Sequence, residues 1–312
     1  MTLLRSTSPD QARMPRLAAV LSLVASMSLT GANVPFGKAV MAEMPVEVFL
    51  VFRFAVASLA LAVLVRGEPG PLLRTMSRRQ TVSLVLLGFV GSVLFTFFLL
   101  EGVKRTSGAD AGIITATLPA VVALLGLFVL GQRLAANQFA MVALAVAGIL
   151  IMQPASAAAG TGALIGNLLV GVAVLCEATF VLLSQGMSAV YKPIRLSLGV
   201  SVVSLLASVP FAATALLDFD WASVSFGIWG LATWYALSAS ALCTILWYRG
   251  AAHVETWMAG LATAALPVSA LAVSALFLGE EIGIVRMLGA AFVISAIALG
   301  ALAPGRLEQG RS

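Results

Sequence analysis

Apolar residues gather in long runs, and nearly every charge falls in the short breaks between them. The runs cover about 17–37, 46–65, 80–100, 109–131, 135–153, 162–185, 196–217, 226–247, 256–279 and 283–303. About 20 mostly apolar residues suffice to cross a bilayer as a helix. The pattern therefore predicts ten membrane helices joined by short loops, an all-α integral membrane protein. The first run follows a basic segment with Arg5, Arg13 and Arg16, which imitates a signal peptide. It is long and lacks a clear small-residue cleavage site, so it is read as a retained helix.

Composition agrees. Of 312 residues, 61% are hydrophobic and 10% charged, against roughly 25% charged in an average soluble domain. The spans use most of the chain, which excludes a separate nucleotide-binding motor or receptor domain. Cys176 and Cys243 both lie inside apolar runs and read as small hydrophobes, with no disulfide or metal framework. The net charge of +5 does not point to nucleic acid in such a chain, because what matters is where the basic residues lie.

With the N-terminus placed in the cytoplasm, the inner loops hold Arg5, Arg13, Arg16, Arg66, Arg74, Arg78, Arg79, Arg133, Lys192, Arg195, Arg249, Arg306 and Arg311. The outer loops hold only Lys38, Lys104, Arg105 and Arg286. The bias predicts both termini in the cytoplasm of a cell (inner) membrane protein. Asp218, Asp220, Glu280 and Glu281 collect outside and carry little weight.

The chain repeats itself. A shift of 148 residues aligns Gly102 with Gly250, Ala111-Gly112 with Ala259-Gly260, Thr115-Ala116 with Thr263-Ala264, Leu118-Pro119 with Leu266-Pro267 and Leu130-Gly131 with Leu278-Gly279. The fourth span thus corresponds to the ninth, and the chain divides into five-helix repeats at 17–153 and 162–303. An odd number of spans per repeat predicts inverted topology, the arrangement in which two bundles rock about a midplane site. Pro119 and Pro267 fall mid-span, where a missing amide hydrogen kinks a helix, and they are the candidate kink or gating residues.

These residues carry a resemblance. Arg53-Phe54 in the second span, the stretch from Thr106-Ser107 through Ala111 to Leu118-Pro119, and the helix ends Gly131 and Gly279-Glu280 are similar to an EamA-type transporter of the drug/metabolite transporter superfamily. The resemblance implies a ten-helix inverted-repeat carrier of small organic solutes. Its cavity would be lined by the first four helices of each half, with the fifth helices peripheral. Thr30 stands where such carriers often have tryptophan, Glu177 takes the equivalent place in the sixth span, and Gln132 replaces an acid that often ends the fourth.

Polar residues within the spans are the candidate substrate or coupling groups. A bare charge mid-span costs about 2.5–3.5 kcal/mol on insertion scales, so Arg53 must face the interior. There it either holds a carboxylate or phosphate through its planar fork, or clamps a backbone carbonyl or Glu177. Glu177 is the candidate for proton coupling or for a substrate amine, and otherwise the static partner of Arg53. Asn33 and Thr179 occupy comparable places in the first helix of each repeat, and Asn33 is placed either on substrate or in an interhelical hydrogen bond. Tyr235 is a cavity candidate. Trp247-Tyr248 read as interface belt, and Trp257 as belt or gate. Gly112, Thr115, Gly260 and Thr263 form matching small-residue faces, whereas Gly148, Gly289 and Gly300 suit packing.

His253 is the lone histidine, and no HExxH, P-loop or Gly-x-Ser-x-Gly motif occurs. No metal or cofactor is expected, nor an enzyme. The sequence points to a gradient-driven carrier of a small solute, an amino acid or related compound, working as an exporter by alternating access. Protons are the candidate coupling ion, lipid is the surrounding partner, and a homo-oligomer is left open. The competing reading is a non-transporting membrane subunit that binds a protein or lipid partner.

Overall fold

The computed structural model describes residues 14–68, 76–106, 108–132, 134–153, 161–278 and 283–303. Arg5, Arg13, Arg74, Arg133, Arg306, Arg311, Ser107 and the Gly279-Glu280-Glu281 helix end lie outside them.

All regular structure among the described residues is helical. Among the described residues, nine helices are long and apolar enough to span a membrane, and one shorter apolar helix makes ten. They are α1 (Arg16–Glu43), α2 (Val46–Val65), α3 (Arg78–Val103), α4 (Asp110–Leu130), α5 (Ala136–Met152), α6 (Ala163–Ser188), α7 (Pro193–Asp218), α8 (Phe226–Ala251), α9 (Thr256–Leu276) and α10 (Ile284–Leu302). In a bilayer each must satisfy its backbone internally, which a helix does and an open strand cannot.

Local sequence sets the ends. Pro15 and Pro45 precede α1 and α2, and Pro193 opens α7, positions that need no backbone donor. Ser77 and Gln80 cap α3 reciprocally: the Ser77 amide donates to Gln80 Oε1 at 2.9 Å and the Gln80 amide to Ser77 Oγ at 3.4 Å. Gly131 ends α4 at φ 65°, and the Gln132 amide turns back to the Gly126 carbonyl at 3.1 Å.

Five helices depart from regularity. α1 breaks at Asn33 and resumes as Val34–Glu43 with Pro35 in its first turn; the sequence pattern ended this span at 37. α4 and α9 break at Ala116-Thr117 and Thr263-Ala264. There amides reach three residues back, Thr117 to Ile114 and Ala264 to Leu261, each at 3.1 Å, and Pro119 and Pro267 lie in the first turn of the segments that follow, Leu118–Leu130 and Ala265–Leu278. The kink expected at both prolines is therefore a full break. α3 and α8 each contain a π-helical stretch, Phe89–Leu94 and Ala236–Leu242, which fall at matching places under the 148-residue shift.

The repeats pack on one another in matching, antiparallel pairs. α1 runs against α8, with Ala19 and Leu23 over Gly250 and Ser26 by Cys243. α6 runs against α3, with Gly166 and Val170 over Gly102 and Phe180 by Gly91. The fifth helices α5 and α10 form an extensive mutual contact and leave large apolar side chains such as Phe139, Leu150, Ile284 and Leu288 exposed. Gly148 and Gly289 let them touch: a Cβ at Gly148 would stand 2.6 Å from the Gly289 carbonyl oxygen. Gly148→Leu is expected to lower stability by about 1–3 kcal/mol through overpacking against backbone. A falling unfolding midpoint in detergent checks this, with the exposed Leu150→Ala unchanged within about 0.5 kcal/mol.

Candidate functional site

The polar interior is assembled on the seam between α1 and α8, with α2 on one side and α6 on the other. α1 presents Ser22, Ser26, Thr30 and Asn33 at intervals of four, four and three residues, which place them on one helical face. Each meets α8. Ser22 Oγ donates to the Leu246 carbonyl at 2.8 Å, and Ser26 Oγ to the Cys243 carbonyl at 2.8 Å. Thr30 Oγ1 lies 2.8 Å from Cys243 Sγ, and Asn33 Oδ1 accepts from Ser238 Oγ at 3.1 Å. Cys243, expected to act as a small hydrophobe, therefore sits in a hydroxyl cluster.

The π-helical stretch of α8 organises this seam. A π turn shifts the hydrogen-bond register by one residue and re-aims the side chains around it. Ser238 of that stretch reaches α1, while Ser240 Oγ accepts from Arg53 Nε of α2 at 2.9 Å. The Arg53 guanidinium also stands 5.1 Å from the centre of the Tyr235 ring and 4.8 Å from that of Phe54, close enough for cation–π attraction. Phe49 sets its ring edge against Tyr235, centroids 5.1 Å apart. Arg53 is thus aimed by Nε, leaving the two terminal nitrogens of the fork without a protein partner among the described residues.

Glu177 on α6 does not pair with Arg53, which removes the static ion pair as the account of either residue. Its carboxylate has no hydrogen bond or ion pair among the described residues, and the residue is partly exposed. Arg53 reaches the α8 side of the seam through Ser240, and Glu177 stands on α6, which packs against the same helix through Ser184 and Phe180 on Trp247.

The remaining candidates divide. Tyr235 joins the site. Asn33 is buried and engaged within the protein: its amide nitrogen donates to the Leu29 carbonyl at 2.8 Å and its oxygen receives Ser238. Thr115, Thr179 and Thr263 turn their hydroxyls onto carbonyls of their own helices, at Ala111, Leu175 and Gly260. Trp247 and Tyr248 are 1% exposed, which corrects the belt assignment. Trp247 Nε1 donates to Ser184 Oγ at 2.9 Å, and both rings lie by Phe180.

Trp257 is also buried, beneath the Arg16 guanidinium at 5.9 Å. Around it one end of the bundle is tied together. Arg16 pairs with Glu255 at 2.6 Å and donates to the Gly300 carbonyl at 3.3 Å. Gln185 of α6 donates to the Val254 carbonyl at 3.0 Å and accepts from Thr256. α4 and α9 meet at the same end: Gly126 faces Thr256, and Gly260 faces Val122. Their other segments, Gly108–Thr115 and Ala265–Leu278, make no substantial contact. The described residues hold no group of three or more His, Cys, Asp or Glu placed to share a metal ion.

Comparison with known proteins gives the same architecture. The EamA-like transporter family model matches residues 17–153 and 164–301, once for each half. The chain is 32% identical over 289 residues to the uncharacterized transporter YetK of Bacillus subtilis (strain 168), covering 90% of this chain and 86% of that protein. It is 20% identical to the uncharacterized transporter YyaM of the same organism, over 91% of this chain and 93% of that one. One crystal structure superposes with a TM-score of 0.77 at 16% identity, over 94% of this chain and 99% of the other, a likeness of fold. With two family matches lying on two packed, helix-for-helix corresponding halves, the chain belongs to the EamA-like transporter family.

Proposed function

We propose that the chain is a secondary carrier that exports a small zwitterionic metabolite, an amino acid or related solute, by alternating access. The observation that carries this reading is that, among the described residues, neither Arg53 nor Glu177 has an ion-pair partner. Opposite charges inside a membrane bundle are costly unless each finds a partner, and these two stand on helices, α2 and α6, that both pack against α8 with no ion pair between them. A solute bearing a carboxylate and an amine supplies both partners: two oxygens for the free guanidinium corners and an ammonium for Glu177. Tyr235 and the seam hydroxyls complete the wall.

The antiparallel crossing of α4 on α9, and of α1 on α8 beside α3 on α6, supports inverted repeats, as alternating access requires. The distribution of basic residues supports cytoplasmic termini, which puts the tied Arg16 end on the cytoplasmic side. Energy comes from a gradient, with protons competing at Glu177.

Counterflow into proteoliposomes containing only this protein tests the reading. Zwitterionic amino acids are expected to exchange about 10–100-fold faster than their amides or decarboxylated amines, the cost of one charge-assisted hydrogen bond lost to a buried group. Equal rates for all three classes would remove the two-charge site. No exchange across a broad metabolite panel would favour a partner-binding membrane subunit.

A further inference from the structure

Three neighbouring helices, α2, α7 and α3, bring basic side chains to one level at one end of the bundle. α7 packs on both of the others. On one side Arg195 Nε stands 3.2 Å from Glu68 Oε2, and Arg195 also donates to the Glu68 carbonyl at 3.2 Å, so α7 starts where α2 ends. On the other side a Cβ at Gly199 would stand 3.2 Å from Leu84, and Ser204 Oγ donates to the Gly88 carbonyl at 3.1 Å. Residue numbers rise together across that contact, so α7 and α3 are parallel, and the same register puts Arg78 and Arg79 level with Pro193 and Ile194. Arg66, Arg78, Arg79, Lys192 and Arg195 thus share one rim, on which Glu68 is the one carboxylate among the described residues, and Arg195 holds it. Arg66, Arg78 and Arg79 are exposed and form no ion pair among the described residues.

The rim tops an apolar wall. Leu59 and Val63 lie on the helical face of Arg66, Val82 and Val85 on that of Arg78, and Val202 and Leu206 on that of Arg195, each set spaced by three, four or seven residues. All six apolar side chains are exposed. The opposite ends of α2 and α7 carry acids instead, Glu47 and Asp218. Like charges crowded on one rim repel unless counter-charge is supplied, and the protein supplies one carboxylate for five bases. We propose that this rim binds an anionic phospholipid of the leaflet on that side, which the proposed orientation makes the cytoplasmic one. The headgroup phosphate sits among the guanidinium groups, whose planar forks match its oxygens, and the acyl chains follow the exposed stripes. Basic pockets between membrane helices take phosphate headgroups in this way. The apolar wall selects a lipid over a free phosphate, and the acids at the far end repel the same lipid from the other leaflet. The site lies away from Arg53 and Glu177 and does not depend on transport.

Full-length protein in neutral detergent is titrated with phosphatidylglycerol or with phosphatidylcholine of the same chain length, and bound lipid is counted by native mass spectrometry. Both lipids carry a phosphate, but choline cancels its charge in the second. Phosphatidylglycerol is expected to bind at least about tenfold more tightly. Arg78→Gln/Arg79→Gln should weaken it by about 25-fold and Arg66→Gln by about fivefold, following the attraction of each base for an anionic headgroup. Lys104→Gln/Arg286→Gln removes the same charge as the double variant at the other end of the bundle and should stay within about twofold of wild type. Arg66 stands on a separate helix, so its variant decides the matter should the double variant not fold. Inorganic phosphate in excess should leave the lipid bound. Equal binding of the two lipids, wild-type binding in either rim variant, or an equal loss in the Lys104→Gln/Arg286→Gln control would overturn the proposal. So would displacement of the lipid by inorganic phosphate, which would mark a small-anion site.

Discussion

Arg53→Ala is expected to cut zwitterion counterflow by at least about 100-fold while the protein remains folded. The free corners of the guanidinium offer two parallel N–H donors to a carboxylate, and hydrogen bonds to charged groups contribute about 1.5–3 kcal/mol each. Losing two at about 1.4 kcal/mol per factor of ten exceeds two orders of magnitude. Arg53→Lys keeps the charge but not the fork, nor the Nε contact with Ser240 Oγ, and should fall by about tenfold. Initial counterflow rates measure both, beside gel filtration and the unfolding midpoint. Loss of the Ser240 contact should cost about 1 kcal/mol of stability. Wild-type exchange in Arg53→Ala would reduce Arg53 to a clamp between α2 and α8.

The sequence makes the spans legible because hydrophobic length is a direct physical requirement of the bilayer. It makes the paired breaks legible because Pro119 and Pro267 sit at one repeat position. Other features carry no such mark. The π stretches at Phe89–Leu94 and Ala236–Leu242 change hydrogen-bond register without changing hydropathy, so the aiming of Arg53 by Ser240 is invisible in the residue pattern. Trp247 and Tyr248 look like belt residues because they end an apolar run, but hydropathy does not reveal that this end of α8 is covered by α1 and α6. The extension of α1 to Glu43 depends on Pro35 starting a new segment, where the pattern suggests a stop. One signal was present and passed over: Ser22, Ser26, Thr30 and Asn33 share a helical face, and that face meets Cys243. Which partner a charge chooses is a question of distance in space. Arg53 and Glu177 invite pairing on paper, and the fold keeps them apart.

Glu177→Gln is expected to abolish uphill accumulation driven by a pH gradient while leaving exchange measurable. If one carboxylate holds either a proton or the solute ammonium, the two are mutually exclusive on it, and exclusion at a site that alternates between faces is antiport. One pH unit across the membrane corresponds to about 1.36 kcal/mol per proton, enough for about a tenfold solute gradient at one-to-one exchange. Glutamine binds neither cation strongly and cannot trade them. Accumulation in Glu177→Gln should therefore fall to the equilibrated level, and the pH dependence of exchange should flatten. Exchange itself should slow by about tenfold for want of one charge-assisted bond to the amine. Glu177→Asp keeps the titrating group on a shorter stem and should retain part of the gradient, a rescue that a packing defect would not give. Accumulation ratios in proteoliposomes with imposed pH steps decide the matter. Full accumulation with an unchanged pH profile in Glu177→Gln would place coupling elsewhere and leave Arg53 as the charge that selects solute.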